Sequence, residues 1–124
     1  MSNLPKISDA EWEVMKLLWD KGNITSKEIV EALKSTTNWS STTIYTLINR
    51  LVKKNAVGIK EGTSPYICYP LVSQEELRTE ESKSFLKKVF DGSLNLMLVN
   101  FVKNEKLSNE EIEELKNILE DRKE

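Results

Sequence analysis

The sequence predicts a mainly α chain carrying one short antiparallel hairpin, an α+β arrangement with three helices before the hairpin and three after it. Three observations carry this. A serine or threonine followed three residues later by glutamate marks a helix start, and it recurs at Ser8/Glu11, Thr25/Glu28, Ser73/Glu76 and Ser108/Glu111. Apolar residues between these starts return at helical spacing. The period changes only between residues 57 and 70, where "VGIK" and "YICYP" flank "EGTSP".

The first helix opens at Ser8, with Ile7 and Trp12 at the positions of a hydrophobic staple. Trp12, Met15, Leu18 and Trp19 share one face, and Gly22 ends it. The three tryptophans, Trp39 included, read as core and staple residues rather than platforms for stacked bases. The second helix repeats the device at Thr25, with Ile24 and Ile29 as staple and Leu33 extending the face. The third begins at Ser40, between Trp39 and Ile44, and its apolar positions are Ile44, Leu47, Ile48, Leu51 and Val52. That is the stripe of one buried helix face. Gly62 and Pro65 mark the hairpin turn. Three short helices and a hairpin, in that order, make a winged helix-turn-helix, expected over residues 1–72.

Residues 73–124 read as a second, helical domain. Its first helix carries Leu77, Phe85, Leu86, Val89 and Phe90 and stops at Gly92. "SLNLMLVNFV" follows, with seven of the nine residues from 94 to 102 apolar. Such a helix is apolar nearly all round and needs cover on most sides. The run is too short for a membrane span and holds Asn95 and Asn100. Association of two subunits is the expected cover, through Phe85, Val89, Leu94, Met97, Leu98, Phe101, Ile112, Leu115 and Leu119. The last helix starts at Ser108, turns Ile112, Leu115 and Leu119 inward and clothes its outside in glutamates.

Composition narrows the function. The 124 residues contain no histidine and a single cysteine, Cys68. The commonest general base and the commonest transition-metal ligand are therefore missing, and nothing marks a carboxylate-only site. The expectation is a non-enzyme with no metal and no cofactor. One cysteine cannot form an internal disulfide, no signal peptide precedes the first helix, and a reducing, cytoplasmic location fits. The net charge of −2 hides an asymmetry: residues 1–72 sum to +2 and residues 73–124 to −4. The front half suits an anion; the back half would avoid one.

The polar side of the third helix points to that anion. Thr42, Tyr45, Thr46, Asn49 and Lys53 recur every three or four residues, with Ser41 and Thr43 at the N-terminal end. Helix N-termini and hydroxyls donate to phosphate oxygens, Thr packs on the thymine methyl, and Asn bonds adenine. Arg50, Lys53 and Lys54 would meet backbone charge, and Lys60 on the hairpin a flanking phosphate. A solvated face of a small helix would carry similar residues. Threonine is an indifferent helix former, however, so five Ser/Thr between positions 40 and 46 exceed what capping requires.

The segments "ISDAEWEVMKLLWDKG", "WSSTTIYTLINRLVKK" and "LVNFVKNEKLSNEEIEELKNIL" resemble the BlaI/MecI family of penicillinase and methicillin-resistance repressors over almost the whole chain. The resemblance implies a homodimeric transcriptional repressor bound to double-stranded operator DNA of dyad symmetry near β-lactam-resistance genes. It also implies a membrane sensor-transducer system and cleavage within the dimerisation domain, here at Asn100–Phe101. Without the resemblance, Asn100 would read as a polar residue at a helix rim. Familiar members begin the recognition helix with Ser-Pro-Lys-Thr and carry a basic or amide residue where Tyr45 stands. Here the start is Ser40, Ser41, Thr42, Thr43, so the operator cannot be copied from the family. Copper-responsive relatives carry paired Cys-x-Cys motifs that this chain lacks. Two other functions remain in view: a winged-helix regulator of different genes with another inducer, and a winged-helix protein-interaction module.

Overall fold

The computed structural model describes residues 4–104 and 106–123. Helix α1 (Asp9–Lys21) leads into strand β1 (Ile24–Thr25), followed by α2 (Ser26–Thr36), α3 (Ser41–Lys53), β2 (Val57–Lys60), β3 (Ile67–Pro70), α4 (Gln74–Phe90), α5 (Leu94–Asn104) and α6 (Asn109–Arg122). The chain divides within α4 into two compact units, one up to Glu80 and one from Glu81. The expected limit at Val72–Ser73 lies just ahead of α4. Leu77, near the start of that helix, is buried in the core of the first unit.

Every expected helix start is present. Ser8, Thr25 and Ser108 each accept from the backbone N–H three residues on, and Glu11, Glu28 and Glu111 reach back to the cap. Ser73 and Glu76 make the same exchange ahead of α4. Gly22 ends α1 at φ 79°, a left-handed position that glycine takes without strain.

The core of the first unit is the meeting of three apolar stripes. Val14, Met15 and Leu18 of α1 join Ile29 and Leu33 of α2 and Ile44, Ile48 and Leu51 of α3. Each side chain of this size contributes about 1.5–3 kcal/mol on burial. Trp12, Trp19 and Trp39 pack against the cluster as expected; Trp12 meets Trp19 edge to face at 5.5 Å, and the Trp19 indole N–H donates to the Val72 carbonyl at 2.9 Å.

The hairpin forms where the period changed, with Val57 opposite Pro70 and Lys60 opposite Ile67. The Tyr69 ring lies over its partner Gly58, where an added Cβ would come within 2.5 Å of it. Sequence reading missed a third strand. Ile24 and Thr25, read only as staple and cap, also pair with Cys68 and Ile67, giving a sheet of order β1-β3-β2. Two residues are too few to show a period.

Cys68 sits on the central strand, fully buried, and burial pushes its thiol up to about 11. The thiolate is the reactive form. Iodoacetamide at neutral pH is therefore expected to leave Cys68 unmodified in the folded protein and to label it in denaturant, as read by mass spectrometry. Rapid labelling of the native chain would contradict its place in the core.

The second unit differs in kind. Phe85 and Phe90 stack edge to face at 6.0 Å, Gly92 turns the chain at φ 82°, and Ser93 accepts from the Leu96 N–H at the start of α5. Within one chain α5 is left uncovered, and the cover expected from a second subunit is not part of this single chain. Neither α5 nor α6 contains a buried residue, and Leu94 and Val102 remain 54 % and 65 % exposed. The two helices enclose an apolar groove of about 760 Å³ lined by Leu98, Val102, Ile112, Leu115, Ile118 and Leu119. Two short helices cannot bury a surface that is apolar on every side.

Candidate nucleic-acid interface

The third helix owes its position to its apolar stripe and its ends to specific bonds. Ser40 accepts from the Thr43 N–H at 3.2 Å, and the Ser40 and Thr43 hydroxyls share a bond of 3.1 Å. At the other end the chain turns through Asn55 in the left-handed region, φ 63°. The Asn55 and Ala56 N–H groups bond back to the Val52 and Leu51 carbonyls, a Schellman closure with asparagine in the place usually held by glycine.

With Ile44, Leu47, Ile48 and Leu51 inward, Thr42, Thr43, Tyr45, Thr46, Asn49, Arg50 and Lys53 all lie exposed, and Ser41 half-buried. The structure thus brings the expected residues of this helix onto its solvent side. Their hydroxyls are not equally free. Thr46 donates to the Thr42 carbonyl at 2.9 Å and Thr43 is shared with Ser40, whereas Ser41 and Thr42 have no side-chain hydrogen bond among the described residues. Asn49, Arg50 and Lys53 likewise have no side-chain partner among the described residues. Lys60 is exposed at the end of β2.

Tyr66, just ahead of β3, is a neighbour that sequence reasoning missed. Its carbonyl accepts from the Ser26 N–H at 2.9 Å. Burial raises the Tyr66 phenol, nearby Cys68 and Tyr45 add to the rise, and a hydrogen bond with Ser26 opposes it. Tyr66 is therefore near enough to Tyr45 to feel its charge and reaches Ser26 at the start of α2. Nothing in a tyrosine at the edge of a hairpin strand signals that.

Lys54, the C-cap of α3, stands apart from the other cations. Its ammonium donates to the Glu11 carboxylate at 2.5 Å and to the Lys6 carbonyl at 2.8 Å. Glu11 is 1 % exposed, and the same oxygen accepts from the Ser8 N–H at 2.9 Å. Burial alone would raise the Glu11 carboxyl. The hydrogen bonds from Lys54 and Ser8 and the charge of Lys54 outweigh it, and the group lies below its ordinary value of 4.5. A carboxylate lowered in this way stabilises the fold above that ordinary value, and the gain disappears as pH falls through the lowered one.

In the second unit, Asn100 and Phe101 are both exposed and lie within α5, one turn before its end. The Asn100 carbonyl accepts from the Asn104 side-chain amide at 2.9 Å. Their peptide bond is helical and, within one chain, uncovered. Among the described residues no cluster of acidic, cysteine or histidine side chains could hold a metal ion, and no helix is long and apolar enough to cross a membrane.

Comparison with known proteins agrees with this layout. A family model described as penicillinase repressor matches residues 7–121. The penicillinase repressor of Bacillus licheniformis is 40 % identical over 123 residues, which cover 99 % of this chain and 96 % of that protein. The methicillin resistance regulatory protein MecI of Mammaliicoccus sciuri is 42 % identical over 114 residues, or 92 % of this chain and 93 % of MecI. Among solved structures, the DNA-binding domain of the repressor BlaI is similar at a TM-score of 0.56 and 36 % identity, over 61 % of this chain and 93 % of that one. The monomeric form of Bacillus licheniformis BlaI in complex with the blaP half-operator is similar at a TM-score of 0.54 and 36 % identity, with the same coverage.

Proposed function

The chain belongs to the penicillinase repressor family, and from that premise we propose that it represses β-lactam-resistance genes by gripping a dyad-symmetric operator as a homodimer. It is a winged-helix DNA-binding repressor, not an enzyme. The observation that carries the proposal is the exposed Thr42–Tyr45–Asn49 side of α3, on a fold similar to one solved against a half-operator. Two copies of α3, about 34 Å apart, would enter successive major grooves on one side of the duplex. Ser41, Thr42 and the free N-terminal N–H groups would meet phosphate. Thr43, Tyr45, Thr46 and Asn49 would face base edges, and Arg50, Lys53 and Lys60 the flanking backbone.

The second unit supplies the pairing. Its open groove and the exposed Phe85, Val89, Leu94 and Phe101, with the half-buried Met97, give a second copy a large apolar surface to cover. A patch of this extent is unusual on a soluble monomer. Release would follow from cutting Asn100–Phe101, which separates α6 from most of α5, on a signal from a membrane sensor-transducer. The place of action is the cytoplasm.

Replacing Thr43 or Tyr45 by alanine is expected to lower affinity for the selected operator by about tenfold, while the circular dichroism spectrum and melting temperature hold. Gel shifts on a palindromic duplex read this. Unchanged binding by both variants would remove them from the reading surface. A chain that ignored every duplex even in dilute buffer would sink the proposal as a whole and leave the protein-interaction module.

A further inference from the structure

The pairing of Lys54 with Glu11 is unusual in its placement. An ammonium at the C-terminal end of α3 is favoured by that helix's dipole. The same ammonium lies at the N-terminal end of α1, the positive end of the neighbouring dipole, where a cation is disfavoured. It is held there by a carboxylate that is 1 % exposed and by the Lys6 carbonyl. Both anchors precede or open α1, and Lys54 itself sits one residue before the left-handed Asn55. The Schellman closure therefore fixes the direction in which the lysine leaves α3.

We infer that Glu11 and Lys54 are positioning residues for the DNA-facing helix: the pair pins the C-terminal end of α3 to the start of α1 and withholds the Lys54 charge from the phosphate backbone. The inference rests on the proposed DNA-binding function. It reverses the plain reading of "RLVKK", in which both lysines meet phosphate. Both lysines are exposed, but Lys53 is unpaired among the described residues, whereas the Lys54 ammonium is matched by the buried Glu11 carboxylate. Two adjacent lysines thus do different work. One contributes to affinity on any sequence; the other keeps α3 at the angle that lets its Thr/Tyr/Asn side register with base edges.

The test compares full-length wild type with Lys53→Ala, Lys54→Met, Lys54→Arg and Glu11→Gln. The amide introduced by Glu11→Gln retains an oxygen for the Ser8 N–H, so the helix start survives. Fluorescence anisotropy is read on a random-sequence duplex and on a palindrome selected by the wild type, between about 50 and about 200 mM salt. Lys53→Ala should shallow the salt slope on random duplex by about 0.9 per protomer, and Lys54→Met should leave it unchanged. Glu11→Gln removes the carboxylate charge that matches the ammonium and should steepen the slope by up to about 0.9. Lys54→Met and Glu11→Gln should each lower the ratio of selected to random affinity by about tenfold, and Lys54→Arg should restore most of it. Equal shallowing by Lys53→Ala and Lys54→Met would overturn the inference and make Lys54 a phosphate contact. An unaltered affinity ratio in both pair-breaking variants, shown folded by circular dichroism, would also overturn it. Failure of wild type to bind either duplex is a separate result that would instead refute DNA binding.

Discussion

A chain ended at Asn100 is expected to bind a palindromic operator at least about 100-fold more weakly than the full chain, although every residue of α3 is intact. The truncation removes Val102, Ile112, Leu115, Ile118 and Leu119 and leaves Leu98 as the one remaining wall of the groove. With the groove and Phe101 goes much of the apolar surface proposed to join two copies, although Phe85, Val89, Leu94 and Met97 remain. A paired repressor places its second arm at high effective concentration once the first is bound, and a lone arm has no such help. The loss should be visible by sedimentation, as a change from dimer to monomer at micromolar concentration. Affinity for a half-site should change little, because the first unit carries its own core. A truncated chain that stayed dimeric and kept full operator affinity would place the pairing elsewhere.

The second large effect is on stability. Ile48→Ala should cost roughly 2–4 kcal/mol, because Ile48 is fully buried where α3 meets the core and alanine leaves a cavity the neighbours close only in part. In a domain of this size that corresponds to a fall in melting temperature of roughly 10–20 °C. Thr46 and Asn49 flank Ile48 on the other side of the same helix and are exposed, so alanine there should change stability by under about 0.5 kcal/mol. Thermal melts of the three variants separate the packing side of α3 from its reading side. A mild Ile48 variant would mean the site relaxes around the cavity.

How much of this was legible depends on the range of the cause. Helix starts were legible because Ser8 with Glu11, or Thr25 with Glu28, carry both partners of a local bond within four residues. The hairpin was legible because glycine and proline interrupt two β-type runs. The polar side of α3 followed from periodicity alone once Ile44, Leu47, Ile48 and Leu51 were placed inward. Strand β1 escaped, since pairing with Ile67 and Cys68 depends on residues more than forty positions away. Lys54 escaped for the same reason: its partner Glu11 is 43 residues distant and was fully accounted for as half of a capping box. The need of α5 for outside cover was legible in its all-round apolar pattern, whereas the groove it forms with α6 depends on how two separate helices pack and was not.

Pairing through the uncovered seam of α5 and α6 would also make repression sensitive to gene dosage. If the operator-competent species is a pair, its abundance falls with the square of total protein once the chain is dilute relative to its self-association constant. Halving synthesis then removes about three quarters of the active form in that regime, so a modest loss of intact chains clears the promoter sharply.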